Sequence, residues 1–141
     1  MKKVWWIFLV IVSLAGCAVN TRYVSYTGER LPEKGRYYFV SIYPEGQLPK
    51  TAQAYRLIGK VELTGRFSEN ISSDLLADEA RNVARAKGAD AIINASSQSV
   101  VYDGLELIPG RCGRHYCRPD EYIPYRDTML TFRGELAVFT P

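Results

Sequence analysis

Apolar and polar positions alternate most clearly from Tyr55 to Leu63 and again from Thr128 to Phe139. In the first run Tyr55, Leu57, Gly59, Val61 and Leu63 fall on one face and Arg56, Lys60 and Glu62 on the other, the two-residue period of a strand. In the second, Leu130, Phe132, Leu136 and Val138 oppose Thr131, Arg133 and Glu135. Between these runs the period lengthens. Leu76, Ala80, Val83, Ala84 and Lys87 follow helical spacing, so Asp74 to Lys87 is expected as a helix with a narrow face rich in small residues. Ser73 or Asp74 can cap its start, and Gly88 stands where a helix C-cap is expected. The alanines would let the helix sit close on a sheet, over the gap left by Gly59. Arg36 to Tyr43 is β-rich without clean alternation, which predicts a strand covered on both faces. Asp90 to Ala95 reads as a further strand that extends toward Tyr102.

The predicted order is strand, strand, helix, strand, strand: an α+β fold with a small sheet of about four strands packed by one main helix. Residues 17–35 lack periodicity and carry Gly28, Pro32 and Gly35, so they are expected as a tether, with a single domain over 36–141. Residues 103–127 form a long insertion before the last strand. A connection of that length inside a small domain is often functional.

The N-terminus sets the compartment. Lys2 and Lys3 precede an apolar run from Val4 to Val12, too short to span a bilayer but suited to a signal-peptide core. Leu14-Ala-Gly-Cys17 follows and resembles the lipobox of bacterial lipoproteins. The resemblance implies that residues 1–16 are removed and that Cys17 becomes the acylated first residue, anchored in a lipid bilayer. Two or more acyl chains give stable anchoring where one does not. Ala18 follows Cys17, and by similarity to the sorting rule of such lipoproteins this implies the outer membrane, facing the periplasm.

Removing 16 of the 141 residues leaves 125, enough for one modest core. The same cut takes Lys2 and Lys3 and lowers the net charge from +3 to about +1, so charge makes no case for nucleic acid as a partner.

Tyr55-Arg-Leu-Ile-Gly-Lys-Val61, the helix ending Ala86-Lys-Gly-Ala-Asp-Ala-Ile-Ile-Asn94, and Phe132-Arg-Gly-Glu-Leu-Ala-Val138 together resemble the small domain of the YbjQ/RcsF-like proteins. The likeness covers residues 36–102 and 128–139. It implies disulfides, an outer-membrane lipid anchor and a role in reporting envelope state to partner proteins. The chain departs from the pattern in its shorter, less proline-rich tether and in having one cysteine pair besides Cys17.

That pair is Cys112 and Cys117, five positions apart, with His115 between them and Arg111, Arg114 and Arg118 around them. In an exported domain the first reading is a disulfide staple, and closing so short a loop contributes about 2 kcal/mol by chain entropy. The alternative is zinc held by Cys112, Cys117 and His115 with Asp120 or Asp103. It lacks the usual ligand spacing and sits among arginines. Neither a redox Cys-x-x-Cys nor a haem attachment motif occurs, and no cofactor is expected.

Arg111, Arg114, His115 and Arg118 are the candidate partner-binding residues. Guanidinium groups suit a carboxylate-rich protein, lipopolysaccharide phosphates or peptidoglycan carboxylates. The plainer alternative pairs the arginines with Asp120, Glu121 and Asp127 on a solvated loop. No nucleophile, base and orienter fall into a recognisable spacing, so no enzyme is expected. The expectation is a lipid-anchored envelope binding or sensing module, or alternatively a structural lipoprotein that self-associates or joins an envelope complex.

Overall fold

The computed structural model describes residues 18–48 and 54–140. The signal peptide expected over 1–16 and the lipidation site Cys17 lie outside the described residues. The elements run β1 (Asn20–Ser25), β2 (Ser41–Pro44), β3 (Tyr55–Arg66), a 3-10 turn (Phe67–Glu69), α1 (Ser73–Ala86), β4 (Ala91–Ile108) and β5 (Glu121–Phe139). The strands form one sheet in the order β1-β3-β5-β4-β2, antiparallel except where β2 runs parallel to β4. The class is α+β as predicted, with five strands in place of about four.

The additional strand comes from the stretch expected as a tether. Asn20–Ser25 carries no apolar alternation of its own and is held by pairing with β3, Tyr23 opposite Val61 and Arg22 opposite Glu62. Gly59 explains the close fit: a Cβ there would stand 2.6 Å from both the Tyr23 hydroxyl oxygen and the Val24 carbonyl oxygen. The close approach expected at Gly59 is therefore to β1, not to the helix.

β3 carries a bulge between Leu57 and Gly59, and the extra residue shifts the alternation. Ile58, Val61 and Leu63 join the main core, while Leu57 packs on the opposite side against Ala91, Ile93 and Ala137. Tyr55, Leu57, Gly59, Val61 and Leu63 thus do not share one face as the simple period predicted.

α1 covers one face of the sheet with Leu76, Ala80 and Ala84 buried. Its N-cap is Ser72, one residue earlier than expected, whose Oγ accepts the Leu75 N–H at 3.1 Å. At the other end Gly88, at φ 76°, donates to the Arg85 carbonyl, and Ala89 donates to that of Ala84, a Schellman-type close.

The run Arg36 to Tyr43 is a strand only at its end. β2 lies at the sheet edge, with Ile42 half-buried against the main core and Tyr43 half-buried against the opposite cluster, while Tyr37 ahead of it is 93% exposed. The segment before it crosses from β1 to β2 past the C-terminus of α1, where Lys34 N–H donates to the Arg85 carbonyl. Lys34 Nζ at 2.9 Å, the Tyr38 hydroxyl at 2.8 Å and the Phe139 N–H at 2.9 Å converge on the Asp90 carboxylate and hold the crossing in place.

Residues 103–127 are not an insertion between strands. β3 ends with Arg66 opposite Met129, but β4 and β5 continue as a paired ribbon in unbroken register from Val100↔Met129 to Ile108↔Glu121. The body of the molecule thus carries a hairpin arm.

Candidate functional site

The arm forms because both of its strands are rich in β-branched and aromatic residues, whose pairing outweighs Asp103-Gly104 in one strand and Pro124 in the other. Its root is fixed by side chains. The Tyr125 ring lies over Gly104, where a Cβ would stand 2.6 Å from it, and meets the Tyr102 ring edge-on at 6.4 Å between centroids. Asp127, 8% exposed, accepts from the Ser68 hydroxyl at 2.5 Å, the Ser68 N–H at 3.2 Å and the Tyr102 hydroxyl at 3.3 Å. The Ser68 hydroxyl bond above all, with the other donors, outweighs burial and holds the Asp127 carboxyl below its usual range. This aspartate ties the arm to the 3-10 turn.

Past Ile108 the strands hand over to a tight tip. A Cβ on Gly110 would run into the carbonyl oxygen of Arg118, so the chains approach there as only glycine allows. Gly110 N–H donates to Asp120 at 2.7 Å, Arg118 N–H to the Arg111 carbonyl at 2.9 Å and Gly113 N–H to the Tyr116 carbonyl at 2.7 Å. Cys112 and Cys117 face each other across this ladder and are joined by a disulfide. With both sulfurs in that bond, neither is a thiolate for the alternative zinc set.

The four candidate binding residues come together here. Arg111, Arg114, His115 and Arg118 are all exposed and line one shallow groove of about 650 Å³ with Tyr116 and Ile108. Most of the expected ion pairs do not form. Arg118 reaches Glu121 at 3.8 Å, but Asp120 is taken by the Gly110 N–H and Asp127 by Ser68. Arg126 pairs instead with Asp103 at 2.8 Å. Among the described residues Arg111 and Arg114 have no salt-bridge partner, so their guanidinium groups face solvent with all donors available.

A second concave region lies on the sheet face away from α1, a volume of about 360 Å³ bordered by Arg22, Lys60, Glu62, Arg133 and Glu135. Both of its carboxylates are engaged. Arg133 bonds Glu62 at 2.6 Å, and Glu135 accepts from Tyr26 at 2.9 Å and Asn94 at 2.7 Å. Burial, then the Glu135 carboxylate, raises the Tyr26 hydroxyl above its ordinary value, so this phenol stays protonated near neutrality.

Sequence reading missed what the arm itself displays. Val101, Leu105, Tyr122 and Tyr116 are 60, 67, 65 and 70% exposed, in residues whose alternation looked like that of an insertion. The available signal was the apolar content of Val100 to Ile108 and Tyr122 to Tyr125 on either side of the cysteines.

Comparison with protein-family models, with curated proteins and with solved structures finds no match to this chain.

Proposed function

We propose that this chain is a non-enzymatic outer-membrane lipoprotein, acylated at Cys17, that acts as an envelope binding or sensing module and contacts another envelope component through the tip of its arm. The observation that carries this reading is the tip itself: a disulfide-closed turn, held clear of the body, with two arginines that have no salt-bridge partner among the described residues. A closed turn loses little entropy on binding, and guanidinium groups pair bidentately with carboxylates or phosphates. The core order β3, α1, β4, β5 agrees with the pattern on which the YbjQ/RcsF-like resemblance rests and supports a proposed kinship with that domain.

The test is a photo-crosslinking residue at His115 in cells, analysed without reductant. A discrete protein or glycolipid adduct that disappears when Arg114 and Arg118 are replaced by alanine, with the fold intact, is the expected result. Undiminished adduct in that double variant would show that the arginines do not make the contact.

A second reading, self-assembly into a structural lipoprotein, is favoured by one observation. Beyond Ala95 the outer edge of β4 pairs with no strand among the described residues, and a long open edge invites another chain. A ladder of self-adducts from His115 and a multimeric mass by light scattering would select it.

A further inference from the structure

The register of the arm sorts its side chains into two faces that differ in charge. Directly opposed residues in an antiparallel pair share a face and successive residues alternate. One face carries Val101, Leu105, Leu107, Tyr122 and Pro124, together with the mutually neutralised Asp103–Arg126 pair. The other carries Val100, Tyr102, Ile108, Ile123 and Tyr125 but also Glu106, Glu121 and Asp127, so every acid of the ribbon outside the Asp103–Arg126 pair lies away from the first face. By alternation from Leu130 and Phe132, the apolar face continues the side of the sheet that α1 covers in the body. On the arm none of the described residues covers it. Leu105 and Leu107 are 67 and 47% exposed, and a contiguous apolar surface of this kind marks a contact.

The position of the N-terminus says what that contact is. β1 starts at Asn20 opposite Thr64, and traced backward it runs toward Arg66 and Met129, the row at which the arm leaves the sheet. Ala18, Thr64, Arg66 and Met129 border one small cavity. Cys17 is one peptide unit before Ala18, about 3.8 Å between Cα atoms. An acyl anchor on Cys17 therefore enters the bilayer beside the root of the arm, with no tether to lift the body away. The arm leaves that point in the direction of the anchor. Its nine residues from Val100 to Ile108 reach about 30 Å at roughly 3.4 Å each. The same end of the molecule exposes Phe67 and Leu75.

From these positions we infer that the apolar face of the β4–β5 arm lies on the phospholipid surface that receives the acyl chains of Cys17. This rests on the acylation proposed above. The arm lies flat and does not span. Both edges of the ribbon carry unpaired N–H and C=O groups, which hydrocarbon cannot satisfy and which headgroups and water can. Leu105 and Leu107 sink into the acyl boundary, and Tyr116 and Tyr122 take the interfacial position that aromatic rings with a polar tip prefer. Docked this way, the arm carries its basic tip along the membrane plane and presents it to components seated in that bilayer.

The test uses tryptophan, because both natural tryptophans, Trp5 and Trp6, fall in the expected signal peptide. Single Leu107→Trp, Leu105→Trp, Glu106→Trp and Phe39→Trp variants of the full chain are expressed and recovered from membranes. They are then reconstituted in phosphatidylcholine–phosphatidylglycerol vesicles with brominated acyl chains. Leu107→Trp and Leu105→Trp are expected to shift to the blue and lose most of their emission. Glu106→Trp on the opposite face and Phe39→Trp on the body should keep theirs. If the chain floats with the vesicles yet the two leucine-site variants are quenched no more than Phe39→Trp, lipid docking is wrong and the apolar face belongs to a protein partner, while the anchor stands. If the chain does not float with the vesicles, the acyl anchor and the docking inference both fall.

Discussion

Asp90 shows how one side chain joins parts of the chain that sequence leaves far apart. Partial burial pushes its carboxyl up. The Lys34 ammonium, the Tyr38 hydroxyl and the Phe139 N–H outweigh burial and hold it below the ordinary value near 3.8. The unfolded chain lacks these partners and titrates at the ordinary value, so it binds the proton more readily. The linked stability is present above the ordinary value and is lost as pH falls through the folded one. Asp127, lowered chiefly by Ser68, contributes with the same sign. An Asp90→Asn variant is therefore expected to be less stable at neutral pH, and its stability should fall less steeply on acidification below pH ~4. Urea midpoints across that range check this, and parallel wild-type and variant curves would remove Asp90 from the acid response.

Among elements, α1 and the arm tip are stabilised by different means. α1 relies on burial of Leu76, Ala80 and Ala84 and on its Ser72 cap, each continuous with the body. The tip has no buried side chain and is kept together by the Cys112–Cys117 bond and a short ladder of backbone hydrogen bonds. Closing that loop is worth about 2 kcal/mol, and the effect stays local because the tip touches no core residue. Reduction should accelerate amide exchange at Gly113 and Arg118 and leave the amides of β3 and central β5 unchanged. Equal acceleration in β3 would mean that the tip and body unfold together.

For the whole molecule, every large, fully buried side chain among the described residues, from Val40 to Leu136, sits in the body and none in the arm. An isolated two-stranded hairpin is marginal in water, so the arm borrows its order from the sheet below it and from whatever covers its apolar face. Replacing residues 103–126 with an Asn-Gly turn should leave the denaturation midpoint of the body nearly unchanged. The same deletion should abolish the His115-dependent contact. A fall in midpoint comparable to a buried leucine truncation, about 2–5 kcal/mol, would show instead that the arm holds the body together.

The sequence by itself determined the α+β class, the helix and its glycine stop, the alternation of Leu130, Phe132, Leu136 and Val138, and the cysteine pair. Each of these is a local pattern, set by the period of one element or by a short spacing. Only the tertiary structure decided the rest. Asn20–Ser25 is a strand because Gly59 lets Tyr23 lie close on β3, a cross-strand fact invisible in either segment alone. Leu57 and Val61 face opposite ways because a bulge, which depends on the pairing with β5, resets a two-residue period. Asp127 bonds Ser68, not an arginine, because the sheet brings the root of the arm against the turn after β3. The arm is an arm, and not a loop, because β4 and β5 keep their register past the end of β3. Pairing between distant segments set that length, and no single segment encodes it.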